Sequence, residues 1–177
     1  MSRYDTVFLD RDGTINVKAA EGEYIKSVRE LQLLPGVAEA IAKLNMAGIR
    51  VIVVTNQRGI ASGVMTSRDL QEIHQSLGEE LAESGARLDA IYACPHDNKA
   101  CDCRKPRAGL FVQAASDFPD IDFSRSVMVG DSETDAQAAQ NLGITAIRLF
   151  WEDSSAPTCA DKSSPGLSPA VDWILRV

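Results

Sequence analysis

The chain has 177 residues, 45% hydrophobic and 24% charged, which suits one ordinary globular domain over residues 1–177 with a core of useful size. A formal net charge of −7 argues against wrapping nucleic acid or lying on an anionic membrane, since both need a basic face, and a monomer acting on a small molecule is the expectation. No apolar stretch approaches a membrane span, and Met1 to Asp5 runs into a strand without a signal-peptide core, so a cytoplasmic protein is expected.

Val7 to Leu9 is an apolar run that stops at two carboxylates, Asp10 and Asp12, spaced by one residue. A strand buried on both faces can show charge only at its end, and residues two apart on extended backbone point the same way, so both acids fit one pocket. Two acids so close repel unless a cation joins them, and Mg²⁺ suits them because it takes oxygen ligands and keeps waters for a phosphate. Ile15 to Glu30 lacks apolar periodicity and reads as a long loop, well placed to cover a site. Pro35-Gly36 then opens a helix with Val37, Ala40, Ile41 and Leu44 on one face and Gly48 as the stop.

Arg50 to Val54 is nearly all apolar and β-branched, a second buried strand, and it runs out into Thr55-Asn56-Gln57-Arg58-Gly59. Thr66 or Ser67 caps a helix to about Ser84, with Leu70, Ile73, Leu77 and Leu81 inward; His74 on this helix reads as a surface or core histidine. Leu88 to Ala93 is a third strand, Cys94 to Pro106 an irregular loop, and Ala108 to Asp117 a helix. Ser126 to Val129 is a fourth strand that ends in Gly130-Asp131, Glu133 to Asn141 is helical, and Thr145 to Leu149 is a fifth strand. Ser154 to Ser168, rich in Ser, Pro and Ala, reads as a surface loop, with Cys159 in it an ordinary thiol.

Strands alternating with helices over short connections predict a three-layer α/β/α sandwich around a central parallel sheet. In such a sheet the carboxyl ends of the strands share one edge, so Asp10, Asp12, Thr55, Asn56, Arg104, Lys105 and Asp131 should meet in one crevice. Cys94, His96, Cys101 and Cys103 offer three thiolates and one imidazole within ten residues, the donor set of a closed, structural Zn²⁺ site. That metal would brace the loop at 94–103 and place Arg104 and Lys105 just after its last ligand.

Asp10-Arg11-Asp12-Gly13-Thr14, Val54-Thr55-Asn56, Lys105 and Gly130-Asp131-Ser132-Glu133-Thr134-Asp135 resemble, in order, the four motifs of the haloacid dehalogenase superfamily of phosphatases. The resemblance implies a Rossmann-like fold, with Asp10 as nucleophile and Asp12 as general acid and base. It also implies Mg²⁺ on Asp10, the Asp12 carbonyl and Asp131, and phosphoryl oxygens held by Thr55 and Lys105. The intervals where such proteins carry a cap domain are too short here for a second core, so an open site without a cap is expected.

The cysteine loop and its Arg104-Lys105-Pro106 continuation are similar to those of the heptose-bisphosphate and histidinol-phosphate phosphatases within the superfamily. The heptose enzymes resemble this chain also through Val53 to Gly63 and Gly85 to Tyr92. That likeness implies a small phosphorylated sugar on the path to nucleotide-activated heptose, with Lys18, Gln57, Arg58 and Arg104 reaching its hydroxyls or second phosphate. Asn56 and Ser132 complete the candidate contacts. The spacer between His96 and Cys101 is shorter than in some heptose enzymes, and Ser132 stands where a basic residue often follows the metal-binding Asp.

Overall fold

The computed structural model describes residues 2–97, 101–150 and 157–177. Its strands β1 (Thr6–Leu9), β2 (Arg50–Asn56), β3 (Ala90–Cys94), β4 (Ser126–Gly130), β5 (Thr145–Leu149) and β6 (Lys162–Ser164) form one sheet in the order β3-β2-β1-β4-β5-β6. Every neighbouring pair is parallel. The helices are α1 (Val37–Met46), α2 (Ser67–Glu83), α3 (Gly109–Asp117), α4 (Glu133–Asn141) and α5 (Leu167–Ile174).

Side-chain alternation divides the core into two layers. Val7 and Leu9, Val51 and Val53, Val127 and Val129, and Ile147 and Leu149 face the apolar stripes of α1 and α5 and the Leu77-Leu81 end of α2. Phe8, Ile52, Val54, Met128 and Ala146 face α3 and α4 on the other side, where Phe8 and Phe111 meet edge to face at 5.0 Å. Strands covered on both faces explain why Val7 to Leu9 and Val51 to Val54 show no polar alternation. Truncating Leu9 or Phe111 to Ala would cost roughly 2–5 kcal/mol through the cavity left behind.

The three-layer parallel architecture is the one expected, and four details differ. β2 runs two residues past Val54, because Thr55 and Asn56 pair with Ala93 and Cys94 and carry the ladder to the rim. β3 starts at Ala90, two residues later than expected. The Ile15–Glu30 segment is pinned at its base: Val17 N–H donates to Gln32 O at 2.8 Å and Leu34 N–H to Ile15 O at 2.9 Å, so the intervening chain is a closed excursion.

The fourth detail is the tail. Residues 154–156 of the expected surface loop lie outside the described residues, but Lys162–Ser164 is an edge strand on β5, followed by α5 against α1. Three polar residues give no strand signal, and an edge strand needs none, because only one side pairs. Among the described residues, no cap with a core of its own interrupts the sheet.

Strand order reverses beside β1, since β2 and β3 extend to one side of it and β4, β5 and β6 to the other. At such a reversal the connections leave in opposite directions and open a crevice beyond the carboxyl ends. Asp10 and Asp131 stand on either side of that point.

Candidate active site

Asp10 continues β1, its N–H donating to Val129 O at 3.0 Å, and so emerges level with the end of β4. Its Oδ1 accepts from Arg11 N–H at 2.8 Å and meets Lys105 Nζ at 3.0 Å; no hydrogen bond among the described residues engages Oδ2. Lys105 is buried, donates also to Val54 O at 2.6 Å, and lies 2.6 Å from Asp135 Oδ1. Its three N–H donors are thus all engaged. Burial lowers the Lys105 pKa, but Asp10 and then Asp135 more than offset that, so its ammonium is held above the ordinary lysine value.

Carboxylate oxygens of Asp10, Asp131 and Asp135 lie within 4.8 Å of one another. Burial pushes Asp10 up to about 7; Lys105 pulls it down, and repulsion from Asp135, Asp131 and Asp12 adds to the rise. Asp131 Oδ1 is buried without a hydrogen-bond partner, while Oδ2 accepts from Lys18 Nζ at 2.7 Å. An orphaned buried carboxylate oxygen beside two more acids is the donor set a hard divalent cation takes. Two glycines make the crowding possible. Gly13, at φ +82°, would place a Cβ 2.5 Å from Asp131 Oδ2, and a Cβ on Gly130 would collide with the Asp135 carboxylate.

Asp135 was not among the site residues read from the sequence. The available signal was its place four residues after Asp131, but a local duty masks it: its Oδ2 accepts from Ser132 N–H and Oγ, the capping box that starts α4. Its Oδ1 meets Lys105 only through tertiary packing. Ser132 lines the cavity while its hydroxyl serves that cap.

The Asp12 side chain stands apart from the acid cluster. Arg11 grips it with Nη2 at 2.9 and 3.0 Å, Asn16 Nδ2 donates to Oδ1 at 2.9 Å, and Gln57 Nε2 donates to Oδ2 at 2.8 Å. Burial would raise its pKa, but the Arg11 guanidinium and these donors hold the carboxyl below its ordinary range. The ionised form is therefore the resting one. Gln57 also donates to Thr55 Oγ1 at 3.0 Å, tying the end of β2 to the loop after β1.

A cavity of about 340 Å³ opens over these groups. It is lined by Asp10, Asp12, Thr55 to Gln57, Arg104 and Lys105 together with the excursion from Lys18 to Ile25. Asn56 and the Lys105 backbone exchange hydrogen bonds at 3.0 and 3.2 Å, fixing the lysine's loop to β2. Arg58 is absent from the lining. It turns outward and pairs with Asp97 at 2.7 Å, because the chain after Gln57 coils into a tight turn that carries it away.

Cys94, His96, Cys101 and Cys103 converge as the sequence suggested; residues 98–100 of this loop lie outside the described residues. The three sulfurs stand 3.0–3.5 Å apart, and His96 Nδ1 lies 3.7 Å from Cys94 Sγ and 3.3 Å from Cys103 Sγ. Sulfurs at the corners of a zinc tetrahedron, about 2.3 Å from the metal, would sit about 3.8 Å apart, so a small expansion seats the ion. No disulfide joins these cysteines. Arg104 N–H donates to Cys101 Sγ at 3.4 Å, linking the cluster to the loop that carries Lys105.

A parallel sheet with paired aspartates at its strand reversal, a buried lysine between acids and an open cavity over them is the arrangement of an α/β hydrolase with a carboxylate-centred site. Residues 3–143 match the family model of the haloacid dehalogenase-like hydrolases, and the chain belongs to that family. It is 38% identical over 159 residues to the D-glycero-β-D-manno-heptose-1,7-bisphosphate 7-phosphatase of Rhodopseudomonas palustris, covering 85% of this chain and 86% of that one. It is 40% identical over 141 residues to the D-glycero-α-D-manno-heptose-1,7-bisphosphate 7-phosphatase of Mycobacterium tuberculosis, covering 79% and 74%. The crystal structure of a D,D-heptose 1,7-bisphosphate phosphatase from B. bronchiseptica, complexed with magnesium and phosphate, superposes with a TM-score of 0.87 at 32% identity, covering 97% of this chain and 98% of that one.

Proposed function

We propose that this chain is a Mg²⁺-dependent phosphatase that removes the 7-phosphate of D-glycero-D-manno-heptose 1,7-bisphosphate. The observation that carries the reading is Asp10, with an uncommitted Oδ2 over the cavity and an acid–base partner, Asp12, two residues on. Asp12, ionised in the resting site, first takes up a proton from a substrate bound as the phosphate monoanion; Asp10 Oδ2 then attacks phosphorus, the bond from phosphorus to the sugar oxygen breaks, and Asp12 passes that proton to the departing alkoxide. Water then attacks the aspartyl phosphate, gives its proton back to Asp12, and releases inorganic phosphate and Asp10.

Asp10, Asp131 and the Asp12 carbonyl are the groups we assign to the Mg²⁺ site, with Asp135 beside them holding Lys105 and the α4 cap. When bound, the ion neutralises the phosphoryl oxygens and the nucleophile together. Lys105 and the Thr55 hydroxyl hold the remaining phosphoryl oxygens, which requires a phosphate oxygen to replace one of the lysine's present acceptors. Lys18 and Arg104, which both line the cavity, are the cations that suit the second phosphate. Asn56 and Gln57 chiefly hold the floor in shape, and Ser132 faces the substrate across the α4 cap. Zn²⁺ on Cys94, His96, Cys101 and Cys103 stabilises the loop that delivers Arg104 and Lys105.

A net charge of −7 supports a free sugar phosphate over a polynucleotide, in keeping with a cytoplasmic monomer, and no helix among the described residues is long and apolar enough to cross a membrane. The test is phosphate release with Mg²⁺ from both anomers of the heptose bisphosphate, against histidinol phosphate, with Asp10→Asn as blank. Strong preference for one heptose anomer is expected, with at least about a thousandfold loss in the blank. Preference for histidinol phosphate would move the substrate assignment and keep the chemistry.

A further inference from the structure

Among the described residues Arg11 is the largest fully buried side chain, and its charge must be matched where it lies. One edge of its guanidinium is spent on Asp12, through Nε and Nη2. The remaining nitrogen, Nη1, points the other way and meets His74 Nε2, on α2, at 3.2 Å. Arginine only donates, so Nε2 is the acceptor and the histidine proton sits on Nδ1. His74 is 63 residues from Arg11 in sequence and belongs to none of the motifs that carry the chemistry.

We infer that His74 is a positioning residue for the phosphatase reaction, acting through Arg11 to hold the Asp12 carboxylate where it exchanges protons with the sugar oxygen and with water. The inference rests on the acid–base role given to Asp12 above. Asn16 and Gln57 each touch one oxygen of Asp12, and Arg11 alone spans both. A planar fork fixes a carboxylate's rotation only if the fork itself cannot turn. Arg11 begins the loop after β1 and is flanked by the two reacting acids, so its far end needs an anchor on another element, and α2 supplies it. Proton transfer falls off steeply with small displacement, which makes the anchor a kinetic matter as well as a structural one.

The experiment compares kcat/KM, which covers the steps up to the aspartyl phosphate and leaves out its hydrolysis, for His74→Leu, His74→Gln and the wild type on two substrates: the heptose bisphosphate, whose alkoxide must be protonated as it leaves, and p-nitrophenyl phosphate, whose nitrophenolate leaves without a proton. His74→Leu is expected to lose about 10- to 100-fold in kcat/KM on the sugar phosphate, a typical fraction of general acid catalysis, with a much smaller loss on the aryl ester. His74→Gln, which keeps an acceptor, should recover most of the rate. If His74→Leu does not fold, His74→Asn, whose shorter amide falls short of Nη1, takes its place.

Equal losses on both substrates, or no rescue by glutamine, would overturn the inference and leave His74 a packing residue. Asp12→Asn run alongside separates the two levels. If it discriminates between the substrates and the His74 variants do not, the inference fails alone; if it does not discriminate, the acid role fails and the inference with it.

Discussion

The aspartate cluster and the cysteine loop each bring metal-ligating atoms within 4.8 Å, yet they are held together by different means. Asp10 and Asp131 leave β1 and β4, whose register pairs Leu9 with Val129, so sheet hydrogen bonds and two cores force the acids together against their repulsion. Cys94 ends β3, but Cys101 and Cys103 lie on irregular chain tied by a few bonds such as Gly109 N–H to Asp102 O. Folding can gather like charges where a ladder runs beneath them. Where no ladder runs, the ligands need their ion, and metal binding and local folding become one event.

The largest effect that sharpens this contrast is expected from Cys101→Ser. Zinc content should fall below one ion per chain and stability by about 3 kcal/mol or more, a fraction of what a structural zinc contributes, while Asp10→Asn leaves both nearly intact. Elemental analysis with denaturant unfolding reads the pair, and full zinc in Cys101→Ser would contradict the ligand set. Phosphatase activity should fall as well, since Arg104 and Lys105 follow the last ligand.

A second test concerns the proton that stands in for a cation. Without metal, Asp10 titrates at about 7 in the folded chain, against 3.8 for an ordinary aspartate. Between those values the folded state binds the extra proton, so this stabilisation is present at low pH and lost as pH rises through about 7. Mg²⁺ replaces the proton, and the rise in unfolding temperature at saturating Mg²⁺ should be larger at pH 8 than at pH 5. At about 1.4 kcal/mol per pH unit over the two units from pH 5 to about 7, a difference of roughly 2–3 kcal/mol, or several degrees for a chain of this size, is expected. Equal gains at both pH values would show that Asp10 does not sense the ion.

The smallest effect belongs to Arg58. Its partner Asp97 is on the cysteine loop and both side chains are about half exposed, so Arg58→Ala should cost less than about 1 kcal/mol. With Arg58 outside the cavity, KM should stay within about twofold of the wild type, whereas Arg104→Ala raises it several-fold, by the scale of one charge-assisted contact. A KM effect as large as that of Arg104→Ala would return Arg58 to the substrate.

Local signals made much of this legible. The buried strands announced themselves by unbroken apolar runs, α2 by its 3.6-residue stripe and Thr66 cap, and the acids by their position just past strand ends. Arg58 is expected at the substrate because its neighbours Thr55 to Gln57 face the cavity; one tight turn takes its side chain to Asp97, and the KM of Arg58→Ala decides between the two. β6 escaped because Lys162 to Ser164 carries no apolar pattern, and the strand exists by virtue of its pairing with β5, whereas α5 does carry a helical stripe in Leu167, Ala170, Val171 and Ile174.

What the sequence by itself determined is the order of strands and helices, the parallel three-layer class, and the residue types delivered to one edge, because periodicity and capping are properties of neighbouring residues. What only the tertiary structure decided is which of those residues meet. Asp135 joins Lys105, His74 reaches Arg11, and Lys18 closes on Asp131 across intervals of 30, 63 and 113 residues. Such contacts carry no local signature, since each depends on the packing of two elements that the chain pattern specifies one at a time.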